Sequence, residues 1–82
     1  MARETFLVTG SSGCIGSWVL RALITEDVGV VAADASEDYP RPRLLMGPGE
    51  LEKIHFVKLD IRDLDALKAL ISEEQVTHVI HL

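Results

Sequence analysis

Along the chain, short apolar runs alternate with stretches in which apolar residues recur at helical spacing. Phe6-Leu7-Val8 is an uninterrupted run ending at Thr9-Gly10, the pattern of a buried strand. From near Cys14 the residues Ile15, Val19, Ala22 and Leu23 form a stripe that can lie on a sheet, and this helix is expected to stop near Asp27. Val30-Val31-Ala32-Ala33 reads as a second buried strand. The stretch from Ala35 to Gly49 holds Pro40, Pro42 and Pro48 and reads as a long loop, with a short turn of helix at Glu50 to Lys53. Ile54 to Leu59 reads as a third strand interrupted by His55 and Lys58. Asp63 is placed to cap a helix with Leu64, Leu67, Leu70 and Ile71 on one face, and Val76 to Leu82 reads as a fourth strand.

Strands alternating with helices predict a parallel sheet with right-handed crossovers. Runs without charge belong at the centre of such a sheet, and a run interrupted by His55 and Lys58 belongs at its rim. The predicted architecture is therefore α/β: a Rossmann-like doubly wound sheet, four strands in order 3-2-1-4, helices on both faces. The outer edge of the fourth strand would be bare, which invites association with a second copy. The chain reads as the N-terminal half of a longer fold, residues 1–82 forming its dinucleotide-binding part.

Composition narrows the class. Of 82 residues, 48% are hydrophobic and 26% charged, which excludes intrinsic disorder. No apolar run approaches the roughly 20 residues that span a bilayer. A net charge of −5 is a poor footprint for a nucleic-acid or anionic-lipid binder. Cys14 is the one cysteine, and the start Met-Ala-Arg-Glu-Thr lacks the pattern of a signal peptide, so a soluble cytoplasmic domain is expected.

The informative segment is Thr9-Gly10-Ser11-Ser12-Gly13-Cys14-Ile15-Gly16, three glycines spaced by three where a strand turns into a helix. Gly10 permits the sharp turn, Gly13 lets the backbone approach an anionic group, and Gly16 lets the helix pack closely on the strand. The first-turn N–H groups around Cys14 and Ile15, with the helix dipole, make a site for a pyrophosphate. Asp34 ends the second strand eighteen positions after Gly16, near the roughly 20 expected of an acid that accepts from ribose hydroxyls. A carboxylate there repels a 2′-phosphate, which predicts NAD rather than NADP. Two alternatives stay open: a purely structural turn, and a role for Arg41 or Arg43 in reaching a 2′-phosphate.

With these residues in view, the segment from Thr9 to Ser17 resembles the TGxxGxxG turn of extended short-chain dehydrogenases/reductases, the NAD-dependent epimerase/dehydratase family. Leu59-Asp60-Ile61-Arg62-Asp63 resembles the family's third-strand motif, which implies that Asp60 contacts the adenine amino group and the Ile61 N–H a ring nitrogen. His78-Val79-Ile80-His81-Leu82 resembles the start of its fourth-strand motif, which implies that Leu82 lies beside the cofactor. Cys14 departs from the bulky apolar residue frequent at its position. Family members act through a Tyr-xxx-Lys pair that lies beyond Leu82, with substrate bound by that later region. The resemblance thus implies no catalytic residue in these 82 and no activity from them alone. Tyr39 and Arg43, four apart, have two prolines between them, which is expected to prevent a helix from aligning them.

Other residues have plainer readings. Cys14 at a helix start is either a reactive thiol or a small residue facing the packing side. His55, His78 and His81 are spread over two strands with no cysteine pair, so no metal site is expected. His81 either lines the nicotinamide side or packs, and Trp18 belongs to the core or an interface. Two functions from different classes follow: the NAD-binding half of an epimerase/dehydratase-like oxidoreductase acting on a nucleotide sugar or similar carbonyl or alcohol, and a non-catalytic NAD-binding sensor module. A truncated chain that binds little by itself is the third possibility.

Overall fold

A computed structural model describes residues 3–11, 13–36 and 39–82. Its elements run β1 (Thr5–Thr9), α1 (Cys14–Leu23), β2 (Gly29–Asp34), α2 (Pro40–Leu45), α3 (Pro48–Leu51), β3 (Ile54–Lys58), α4 (Leu64–Glu73) and β4 (His78–His81). The strands form one parallel sheet in the order β3-β2-β1-β4, as the polarity of the runs predicts. Register pairs Thr9 with both Ala33 and His81, and Asp34 with Lys58, so the C-terminal ends of the strands share one edge.

Alternation along the strands divides the core between two faces. Val8, Val30, Ala32 and Ile54 lie under Leu20, Ile24 and Met46, whereas Leu7, Val31 and Ala33 lie with Leu70 on the other face. Helices α1 to α3 thus cover one side and α4 the other. Leu7, Val8 and Leu20 are fully buried, each stabilising the fold by about 1.5–3 kcal/mol relative to exposure. At the rim, His55 and Lys58 are exposed.

Five expectations are corrected. α1 stops at Leu23, short of Asp27; the Thr25 hydroxyl donates to the Ala22 carbonyl at 2.7 Å, and an irregular turn covers the interval to β2. The buried side of α1 is Gly16, Ser17 and Leu20, while Ala22 is exposed and Ile15 is 70% exposed. The small residues Gly16 and Ser17 let the helix approach the strand, and that close approach rotates Ile15 outward.

The proline-rich stretch is not a loop. Pro40 and Pro48 open α2 and α3 at helix starts, where a missing N–H costs nothing because the first turn has no internal acceptor for it. Arg43 N–H donates to the Tyr39 carbonyl at 3.2 Å, so a helix does run between these two despite the prolines. On α4, Leu67, Leu70 and Ile71 pack inward, but Leu64, the first residue of the helix, is 62% exposed. Asp63 caps that helix as expected, its carboxylate accepting from Ala66 N–H at 3.1 Å. Beyond the other end of α4, the carboxylate of Glu74 is paired with His55 of β3.

Candidate dinucleotide site

β1 delivers the chain to its turn at Gly10, whose φ of +69° lies in the left-handed region that glycine adopts without strain. The turn is stitched to β2. The Ala33 carbonyl accepts from Gly10 N–H at 3.1 Å, from Ser11 N–H at 3.5 Å and from the Ser11 hydroxyl at 3.2 Å. Ser11 is fully buried and its side chain faces the fold. Ser12 lies outside the described residues.

The three glycines are required for different reasons. A Cβ on Gly16 would stand 2.7 Å from the Gly10 carbonyl oxygen and 2.8 Å from Ser11 Cα, distances that backbone cannot tolerate. Gly10 needs its positive φ. Gly13 needs neither: its φ of −73° and ψ of 174° suit any residue, and a Cβ there would meet nothing nearer than 3.5 Å. Sterically the position has room for a side chain, and glycine there also serves as the N-cap of α1.

Gly13 is the N-cap of α1 and supplies no side chain to cap it. Ser17 N–H makes the first bond of the ladder, to the Gly13 carbonyl at 3.0 Å. The amides of Cys14, Ile15 and Gly16 precede that ladder and lie at the positive end of the helix dipole. Cys14 is exposed rather than turned to the packing side, and it lines a hollow of about 220 Å³ with Ser17, Trp18, Arg41, Leu44 and Leu45. Trp18 is half exposed, with the Arg21 guanidinium 5.3 Å from its ring centre.

A second hollow, of about 200 Å³, opens on the strand ends and is lined by Gly10, Asp34, Ala35, Leu59, Asp60, Ile61 and Leu82. Five sequence-predicted residues therefore meet there, from four separate segments. Ala35 and Leu59 complete its wall and were missed; each directly follows a strand, and residues after parallel strands share an edge. Asp34 Oδ1 accepts from Ser36 N–H at 3.1 Å. Asp60 accepts from Arg62 through its backbone N–H at 2.9 Å and its guanidinium at 2.8–3.2 Å. The guanidinium first, and the amide second, hold the Asp60 carboxyl down at about 2. At the foot of β4, His81 Nδ1 lies 2.6 Å from Thr9 Oγ1, which directs the ring to the sheet.

This anchoring of Asp60 has a measurable sign. With an unfolded value of 3.8, its contribution to stability is complete above that pH and is lost as pH falls through about 2. Arg62→Ala should return the Asp60 titration toward the ordinary carboxylate range in a carboxyl-carbon NMR titration. An unmoved midpoint would show that Arg62 does not hold it.

The family model described as the NAD-dependent epimerase/dehydratase family matches residues 6–82. The chain belongs to that family. Among curated relatives, it is 34% identical over 83 residues to the bifunctional protein GAL10 of Candida maltosa, covering 99% of this chain and 54% of that protein. UDP-glucuronate 4-epimerase 4 of Arabidopsis thaliana is 37% identical over 81 residues, covering 95% of this chain and 18% of that protein. Among solved structures, the Thermus thermophilus UDP-glucose 4-epimerase complex with NAD is 28% identical with a TM-score of 0.73, covering 95% of this chain and 23% of that one. The chain thus spans about half of the first relative and less than a quarter of the other two. NAD is the cofactor of this family, and the residues present fit it: the uncapped α1 start suits a diphosphate, and the adjoining hollow ends in two carboxylates. No helix among the described residues is long and apolar enough to cross a membrane.

Proposed function

We propose that residues 1–82 form the NAD-binding domain of an epimerase/dehydratase-type oxidoreductase whose substrate is a nucleotide sugar or a similar carbonyl or alcohol. In this reading the backbone from Gly10 through Ser11, Ser12, Gly13, Cys14, Ile15 and Gly16 holds the pyrophosphate, Asp34 the adenosine ribose, Asp60 and the Ile61 amide the adenine. Leu82 borders the cofactor. Bound NAD supplies a hydride acceptor or donor. What this chain contributes is binding and orientation, and the proton-transferring and substrate-binding groups belong to other parts of the whole protein.

The observation that carries the reading is Gly13, a glycine where a side chain would have room, at a helix start that no side chain caps. The relatives favour an enzyme over a sensor module, since two of the three above are named as 4-epimerases of UDP-sugars. The experiment is a pair of calorimetric titrations, NAD and NADP, on the polypeptide that carries this sequence. Asp34→Ala should weaken NAD by roughly 10- to 100-fold, the worth of hydrogen bonds to a charged group, and NADP far less. Equal losses for the two would take Asp34 out of the ribose site.

A further inference from the structure

β4 lies at one rim of the sheet and, among the described strands, pairs with β1 alone. Side chains fasten it there at both ends. At the end remote from the dinucleotide site, Thr5 N–H donates to the Thr77 hydroxyl at 2.9 Å, and that hydroxyl lies 3.1 Å from the Thr5 carbonyl. At the near end Thr9 and His81 stand opposite one another in register, with Thr9 Oγ1 and His81 Nδ1 2.6 Å apart, a short hydrogen bond. Thr9 is buried and His81 is exposed, so the imidazole reaches the hydroxyl from the solvent side.

The near end borders the site. Past Thr9 and His81 both chains leave the sheet, β1 into the glycine turn and β4 into Leu82. Toward β2 the turn is held by three bonds to the Ala33 carbonyl, at 3.1–3.5 Å. Toward β4 the backbone link is Leu82 N–H to the Thr9 carbonyl, a long 3.4 Å. Gly10 and Leu82 are nonetheless close, since a Cβ on Gly10 would stand 3.2 Å from the Leu82 carbonyl oxygen. Both residues line the hollow shared with Asp34 and Asp60. The short side-chain bond is thus the firmer of the two ties between the turn and the residue that walls the hollow on the β4 side.

We propose that His81 is a positioning residue of the dinucleotide site: clasped to Thr9, it holds Leu82 against Gly10 and fixes the hollow on that side. The inference rests on the reading of the site given above and adds to it a residue that acts through another. A ligand in a preformed hollow keeps its bonds to one wall only while the opposite wall stays in place, so a small displacement of Leu82 costs affinity.

The test compares Thr9→Val, Thr9→Ser, His81→Phe and the Thr9→Val, His81→Phe double variant in the polypeptide that carries this sequence. Thr77→Val and Gly13→Val are the controls. NAD affinity is measured by calorimetry and the fold by thermal melting. Thr9→Val and His81→Phe should each weaken NAD roughly two- to tenfold, the worth of one hydrogen bond. Thr9→Ser keeps the hydroxyl and should bind as the parent does. The double variant should lose less than the product of the single losses, because both singles break the same bond. Thr77→Val unfastens the remote end and should lower the melting midpoint without weakening NAD. Parental affinity in His81→Phe, a Thr9→Ser loss equal to that of Thr9→Val, a Thr77→Val loss as large as theirs, or multiplying losses would each overturn the proposal. Should the buried Thr9→Val fail to fold, the exposed His81→Phe still decides. If Gly13→Val binds NAD normally, the site reading fails and the proposal with it; with Gly13→Val defective, a parental His81→Phe overturns the proposal alone.

Discussion

Gly13→Val is expected to remove dinucleotide binding and to leave the fold in place. At φ −73° and ψ 174° the backbone of residue 13 is open to any L residue, and the nearest atom to an added Cβ is an ordinary contact at 3.5 Å. The expected cost to the fold is the exchange of glycine for a poorer N-cap, at most about 1 kcal/mol. The cost to the ligand is larger. A branched side chain before the first turn of α1 would stand between the first-turn amides and a diphosphate, and overpacking of this kind costs roughly 1–3 kcal/mol beyond the lost contacts. A loss of about 100-fold or more in NAD affinity is expected by calorimetry, with an unchanged circular dichroism spectrum. Unchanged affinity would reduce the glycine turn to a structural feature.

Gly16→Ala gives the opposite pattern, damage to fold and binding together. Its Cβ would meet only backbone: the Gly10 carbonyl at 2.7 Å, Ser11 Cα at 2.8 Å and Ser11 C at 3.0 Å. None of these is the end of a flexible side chain, so α1 must move off β1. That displacement disturbs the Leu20 contacts beneath the helix and shifts the turn whose amides face the site. A destabilisation of roughly 1–3 kcal/mol is expected. In a small domain each kcal/mol lowers the melting midpoint by about 4–8 °C. A melt at the parental temperature would mean that the helix and strand are not in the close contact described. The two glycines, three positions apart, thus separate in one pair of measurements what the fold needs from what the ligand needs.

Much of this is legible in the amino-acid sequence. Strand order followed from charge: His55 and Lys58 cannot lie in a strand covered on both faces, so the third strand belongs at the rim. The glycine spacing and Asp34 marked a candidate site because each suits a requirement, a turn, a close approach or a ribose acceptor, that few residue types meet. Less legible were the elements whose reading depends on position rather than composition. Prolines ordinarily interrupt helices, and only their place at the first turns of α2 and α3 makes them compatible. Likewise the apolar stripe of α1 pointed to Ile15 and Ala22, whereas the buried face is set by the small residues Gly16 and Ser17.

The sequence by itself determined the α/β class, the strand order, the glycine turn and the acids that end the second strand and follow the third, because hydrophobic period and backbone freedom are local properties. Only the tertiary structure decided that position 13 has room for a side chain and that Ser11 is buried, its hydroxyl donating to the Ala33 carbonyl. Those facts depend on distances between segments remote in the chain. A parallel sheet creates such distances only when its crossovers close and its strand ends meet at one edge.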